Sequence, residues 1–596
     1  MMRRLSDNLY RFDDTCAVYL LKTNTDGVLI DFGDGGVLDA LPAAGVVRVT
    51  DVLMTHHHRD QGQGLHRAVS KGIRIWVPHA EQELFHSVSA HWQAREIINS
   101  YNNREDRFSL LEPVAVHATL RDYQVLRCGG LDLTVIPTPG HTTGSVSLLT
   151  TLDGRRVAFT GDLIYAPGKL WSLAATQWSY NGAEGVAASV ASLLDLKDRA
   201  PELLLPSHGE PIDNPAEAID LLVERLWVLL REREQNPRLF LLRETPYERL
   251  TPHLLRNRTA MAYFYVLLSQ SGKALLLDFG YDFVTGIAAG SDRASRRPWL
   301  YTLPALKRDY GVTVIDVVVP THYHDDHVAG LNVLREVEGT KVWAAELFAD
   351  VLERPYHYDL PCLWYDPIPV DRKLPLETPI RWEEYDLTLY HLPGHTAYAV
   401  AVSLEVDGRR VLIAGDQYQG NAEAHWNYVY KNVFEIDDYQ RSAELYRRLA
   451  PELILTGHWE PYWVEPEYLA KLERRGQTLA RLHRELLPQG AGFGMSIRPY
   501  QTLVTAGEPF ALEVAVKSPW PDPKTATVRL LVPEGWSVEP PSRSLELPAH
   551  GTVTLPFEIV PSRAGVRRAR LAADLTVGAV RFGQGAEALV TVRGEA

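Results

Sequence analysis

Cysteine is scarce in this chain: three residues in 596, Cys16, Cys128 and Cys362, far apart and with no C-x-x-C pair. That scarcity excludes a disulfide framework and a zinc knuckle, and it predicts small, buried thiols in a reducing compartment. A hydrophobic leader is missing too. Met1 to Leu21 is interrupted by Asp7, Arg11, Asp13 and Asp14, so no secretory signal is read and the expected location is cytoplasmic. No window is long and apolar enough to read as a membrane span. Positive charge is in deficit, with 61 Lys and Arg against 75 Asp and Glu and a formal net charge of −14. That balance disfavours a polyanionic partner, and no nucleic acid is expected. What is present is ordinary for a globular protein, with 45% hydrophobic and 23% charged residues, and the length allows about three or four domains.

The richest stretch is Thr321-His322-Tyr323-His324-Asp325-Asp326-His327, which follows the apolar run Val314 to Val319. Three imidazoles and two carboxylates at the end of a buried strand point to a divalent metal such as zinc, iron or manganese. A lone H-x-H is weak evidence; H-x-H-x-D-H is strong.

The chain is also written twice. VLIDFG (28–33) pairs with LLLDFG (275–280), and VTDVLMTHHHRDQ (49–61) with VIDVVVPTHYHDDH (314–327). PTPGHTTGS (137–145) pairs with HLPGHTAYA (391–399), DGRRVAFTGDLIY (153–165) with DGRRVLIAGDQYQ (407–419), and PELLLPSHGEP (201–211) with PELILTGHWEP (451–461). His141 and Asp162 are 21 positions apart, as are His395 and Asp416. Ordered matches at such spacing mark a tandem duplication. Each candidate ligand follows an apolar run, which puts it in a loop at a strand end, where a rigid sheet holds several loops in register. Between the repeats Ile219, Leu222, Leu226 and Leu229 recur at helical spacing and predict a packing helix. From about residue 495 the period becomes two, as in Phe510, Leu512, Val514 and Val516, which predicts an all-β sandwich. The stretch Leu531 to Trp536 resembles Ig-like sandwich modules. The expected domains are 1–240, 241–488 and 489–596.

The second repeat resembles the metallo-beta-lactamase superfamily, the glyoxalase II-like hydrolases, through H-x-H-x-D-H, Pro393-Gly394-His395, Gly415-Asp416 and Gly457-His458. The resemblance implies two αββα sandwiches in tandem, each an α/β unit with a metal cleft at one edge. It implies a first metal held by His322, His324 and His395, a second held by Asp326, His327 and His458, and Asp416 bridging them. Zinc is the expected metal, with iron and manganese as alternatives. The implied chemistry is attack by a metal-bound hydroxide on an electrophilic carbonyl or phosphorus, with Asp326 as the catalytic group that holds the proton and orients attack.

The first repeat departs from this pattern. His56, His58 and His141 complete its first triad, and Asp60, Asp162 and His208 remain from the second set, but Gln61 stands in the place of His327. A neutral amide is a weak ligand beside imidazole. One metal with weak activity, two metals in a rebuilt site, and a metal-free scaffold are all open, and some metal is favoured. His57 is the variable middle position and not a ligand. Candidate substrate-binding residues are Tyr398, Trp426, Tyr428 and Trp459, aromatics near the second cleft; the first repeat has Gln177 to Asn181 in the corresponding segment. A small-molecule substrate with an ester-like bond (thioester, lactone or other activated ester) is the expected target of the second repeat. The alternatives are an iron-dependent oxidoreductase, a phosphodiesterase or nuclease, and a non-catalytic binding scaffold. The sequence leaves the oligomeric state open.

Overall fold

The computed structural model describes residues 2–95, 105–173, 185–232, 243–282, 292–419, 423, 425–427, 433–487 and 494–593. The first repeat is built on two facing sheets. One has seven strands in chain order, from Met2–Arg4 to Ala118–Leu120, antiparallel at first and parallel from Asp26–Ile30 onward. The other has five strands in the order Leu203–Pro206, Arg155–Gly161, Val146–Leu152, Leu131–Pro137 and Val125–Cys128. The second repeat repeats the plan. Its first sheet runs in chain order from Tyr247–Thr251 to Arg372–Leu374, and its second holds six strands from Ile380–Trp382 to Tyr462–Trp463.

The apolar runs explain the layering. Leu275, Leu276, Val317, Val318 and Val319 are buried in adjacent parallel strands, as expected where both faces of a sheet are covered. Tyr19 and Leu53 of one sheet meet Val135, Phe159 and Leu205 of the other in the first repeat's central core. Helices Val186–Asp198 and Pro215–Glu232 cover its second sheet, the latter through Ile219, Leu222, Leu226 and Leu230. In the second repeat Asp438–Leu449 and Tyr468–Leu486 do the same through Tyr439, Tyr446, Leu472 and Leu479. The repeats are not independent beads: Trp299 and Tyr301 of the second are buried in the core that covers the first repeat's second sheet.

Residues from Gly494 onward form an all-β unit of a four-stranded and a five-stranded sheet, packed through Val514, Phe557, Leu575 and Val590. It docks on the second repeat. Lys517 pairs with Glu435, the Tyr500 amide donates to the His357 carbonyl (3.1 Å), and Arg498 lies 4.5 Å from the centre of the Tyr358 ring. No helix among the described residues is long and apolar enough to cross a membrane.

Candidate metal centres

Strand Val314–Val319 ends at Pro320, and the chain then delivers its ligand cluster on a turn leading into the short helix Asp325–Val328. His322, His324 and His395 come together as one group, and Asp326, His327, Asp416 and His458 as another, each with ligand atoms within 4.8 Å of one another. Asp416 lies between the groups. Its Oδ2 is 3.7 Å from His395 Nε2 and 3.1 Å from His458 Nε2, and its Oδ1 is 3.4 Å from His327 Nε2. Asp326 stands 3.1 Å from His458 Nε2.

The arrangement suits divalent ions. His395 Nε2 faces His324 Nδ1 at 3.0 Å, and the Nε2 atoms of His322 and His324 are buried with no hydrogen-bond partner. Orphaned polar atoms of this kind are costly unless a ligand satisfies them. Burial lowers His324 to about 3 and His322 well below the usual imidazole range, with neighbouring histidines adding to the effect. Both are therefore neutral donors. The second group is different. Burial works against charge on His458, but Asp416 and Asp326 outweigh it and raise the ring to about 10; Asp278 and Asp416 raise His327 in the same way. Both shifts have one cause, the carboxylates that crowd this group and favour positive charge there.

Residues outside the sequence-derived ligand set orient these rings. His327 Nδ1 bonds Asp278 (2.9 Å), His322 Nδ1 bonds Thr321 Oγ1 (3.1 Å), and His395 Nδ1 donates to the Asn427 carbonyl (2.8 Å). Each partner leaves Nε2 for a ligand role, the usual way a ring's tautomer and orientation are fixed. The sequence carried a signal for two of them, since an Asp in DFG and a Thr before the first His occur in both repeats. Nothing in it pointed to the Asn427 carbonyl.

In the first repeat His56, His58 and His141 converge as one group. His141 Nε2 lies 2.9 Å from His58 Nδ1, and the Nε2 atoms of His56 and His58 are buried with no hydrogen-bond partner. Burial, with His141 adding to it, lowers His56 to about 3. Asp162 sits 3.3 Å from His141 Nε2; burial pushes it up, but His141 and His208 hold it at about 2. Asp60, Asp162 and His208 do not form a second convergent group among the described residues. His208 turns Nδ1 to Asp162 (2.9 Å) and Nε2 to the Thr15 carbonyl (3.3 Å), and Trp171 stacks on it with centroids 4.0 Å apart. Asp60 is 3.4 Å from His208 Nε2. Gln61 is fully buried, and neither amide atom has a hydrogen-bond partner. The missing imidazole is replaced elsewhere: Ser207 Oγ donates to Asp31 (2.7 Å), the counterpart of Asp278. Serine is tolerated there only without the histidine. At the matching Gly457 a Cβ would come 2.5 Å from Asp416 Oδ1 and 2.6 Å from His327 Cε1. His57 points away from the group, with Nδ1 3.1 Å from Glu81.

The aromatic candidates are dispersed. Tyr398 is part-buried in a cluster with Tyr323 (6.0 Å) and Tyr358 (6.1 Å), and its hydroxyl lies 3.4 Å from Arg498. Trp459 is 40% exposed beside His458. The backbone of Trp426 pairs with Tyr418 in a two-stranded ribbon; its side chain, Tyr428 and the segment 177–181 lie outside the described residues.

Residues 11–208 and 258–458 each match the metallo-beta-lactamase superfamily. The chain belongs to that superfamily. It is a metallo-hydrolase, with the family's region present twice over. The chain is similar to acyl-coenzyme A thioesterase MBLAC2 of Bos taurus, 27% identical over an alignment 232 residues long that covers 34% of this chain and 76% of that protein. It is similar to uncharacterized protein YobT of Bacillus subtilis, 25% identical over 217 residues, 35% of this chain and 88% of that one. Among solved structures it resembles FEZ-1 metallo-beta-lactamase of Legionella gormanii at 18% identity and a TM-score of 0.30, over 39% of this chain and 97% of that one. It also resembles the class B3 di-zinc metallo-beta-lactamase LRA-12 from an Alaskan soil metagenome at 19% identity and a TM-score of 0.30, over 39% and 94%.

Proposed function

We propose that the second repeat is a dinuclear hydrolase of ester-like bonds, with thioesters as the leading class, and that the first repeat holds a single metal and contributes little turnover. One observation carries this reading: seven ligand-type side chains of the second repeat lie in two tight groups with Asp416 between them. The groups fit two divalent ions, zinc foremost and iron or manganese as alternatives, which would supply acidification of water and polarisation of a carbonyl oxygen. His322, His324 and His395 would hold one, Asp326, His327 and His458 the other, with Asp416 shared. The residues do the rest. The neutral imidazoles leave the ions' charge undiminished, Asp278 and Thr321 fix ring orientation, and Asp326 accepts the proton and aims the attacking water. Tyr398 and Trp459, with Trp426 and Tyr428, are proposed to meet the substrate. Thioesters lead because the relatives with a named activity are acyl-coenzyme A thioesterases. Cys16 and Cys128 are buried as expected, but Cys362 is exposed, in a loop rather than in a core, so the expectation of three buried thiols fails there.

The test is metal analysis of the full-length protein beside hydrolysis of acyl-CoA, aryl-ester, lactone and bis-phosphodiester probes. Thioester or ester cleavage that disappears in His322→Ala is the expected result. Cleavage of phosphodiesters alone, or turnover that requires oxygen, overturns it.

A further inference from the structure

The first repeat's tri-histidine group is braced by a residue from the other repeat. Arg297, 5% exposed, enters from the second repeat and makes four hydrogen bonds in the first. Nε and Nη2 grip the Asp122 carboxylate at 2.6 and 2.5 Å, while Nη1 donates to the Thr143 and Ser145 carbonyls at 2.9 and 3.1 Å. Those carbonyls belong to the turn that begins at His141. A guanidinium is the side chain that spans a carboxylate and two carbonyls at once, and a buried one is stable only while those partners stay in place.

The turn is held from inside as well. Glu81 accepts from Thr142 Oγ1 (2.5 Å), the Gly144 amide (2.9 Å) and the His57 amide (3.0 Å). A Cβ on Gly144 would run into the Glu81 side chain. His141 thus sits at the head of a turn clamped between Glu81 of its own repeat and Arg297 of the other. Trp299 and Tyr301, two and four residues on, are buried in the first repeat's core and keep Arg297 in place. The preceding residue, Arg296, pairs with Asp325, the neighbour of Asp326 in the second centre. The second repeat's own turn is braced from within that repeat instead: His391 Nε2 donates to the Ala397 carbonyl (3.0 Å), the counterpart of Thr143, and Gln417 Oε1 accepts from the His395 amide (3.0 Å), while the exposed Arg498 of the C-terminal unit reaches only the Tyr398 hydroxyl.

We propose that Arg297 is a positioning residue for the His56–His58–His141 centre, so that this centre is complete only when the second repeat is docked. The proposal rests on the reading that the first repeat binds a metal, and the experiment separates the two. Metal-stripped full-length protein is titrated with Co(II) and followed by its visible spectrum. The component lost in His141→Ala defines the first centre, and that lost in His322→Ala defines the second.

In Arg297→Met the first component is expected to weaken by roughly 10–100-fold in affinity, the usual cost of losing a supporting hydrogen-bond partner, with the second unchanged. Arg297→Lys does not rescue it, because one ammonium cannot cover the carboxylate and both carbonyls. Asp122→Asn leaves the loop contacts and weakens the same component less; it decides the matter if Arg297→Met fails to fold by circular dichroism. A first component that keeps its affinity, or equal weakening of both, overturns the proposal alone. A wild-type chain in which His141→Ala removes no component overturns the first-repeat metal reading and this proposal together.

Discussion

The two repeats place the same strands around different second sites, and a pair of positions accounts for most of the contrast. The second repeat has His327 and Gly457; the first has Gln61 and Ser207. His327 bonds Asp278, and Gly457 leaves it room; Ser207 bonds Asp31 in the ring's stead. The buried carboxylate after the DF-G strand is satisfied either way, so the fold tolerates the exchange while the ligand set does not. His208 then settles under Trp171 with Nε2 against a backbone carbonyl, where His458 keeps Nε2 on Asp326 and Asp416. Leaving that buried carboxylate unpaired would cost about 1–3 kcal/mol, and the serine hydroxyl avoids the cost without restoring a metal ligand.

The sharpest way to break this contrast is at the ligands. His322→Ala or Asp416→Ala is expected to reduce hydrolysis to background, while Asp60→Ala causes a minor loss; steady-state rates on one thioester decide it, and equal losses would abolish the distinction between the repeats. Next comes the orienting carboxylate. Asp278→Asn should weaken metal binding in the second repeat by roughly 10–100-fold, whereas Asp31→Asn is expected to cost the first repeat less, since Asp31 bonds no ligand directly and reaches His56 only through Thr55; competition with a chromophoric chelator measures both. Third, Gln61→His combined with Ser207→Gly is expected to add one metal equivalent per chain by elemental analysis, with neither single change doing so, because the serine Cβ and the imidazole compete for one space. The smallest effect is on stability. In metal-free protein His458 is raised to about 10 from an ordinary 6.5. The fold then binds this proton more tightly than the unfolded chain does, so its stabilisation is full below about pH 6.5 and fades as pH rises through 10. Thermal melts should show that decline without metal and not with it, where the ion replaces the proton.

Much of this was legible in the residues. The duplicated motifs announced two copies of one fold, and the seven second-repeat side chains that gather into two groups could be named from type and order. His57 and Tyr323 occupy the same middle position of their motifs and both face away from the ligands, one onto Glu81 and the other onto Tyr398. The orienting groups were harder to find. Asp278 is 49 positions from His327, and the Asn427 contact uses a backbone carbonyl that any residue supplies. Arg297 was invisible, since an arginine after another arginine in a loop looks like a solvated charge until it is seen buried in a neighbouring repeat.

The order of ligand types, their recurrence in two halves and the loss of one imidazole at position 61 are written in the chain itself, because they depend on which atoms each side chain carries. Whether the remaining groups close on a common point depends on ring rotation, on the space one Cβ fills at Ser207, and on a guanidinium delivered from more than 150 positions away. Those are distances between atoms remote in sequence, and only the packed protein sets them.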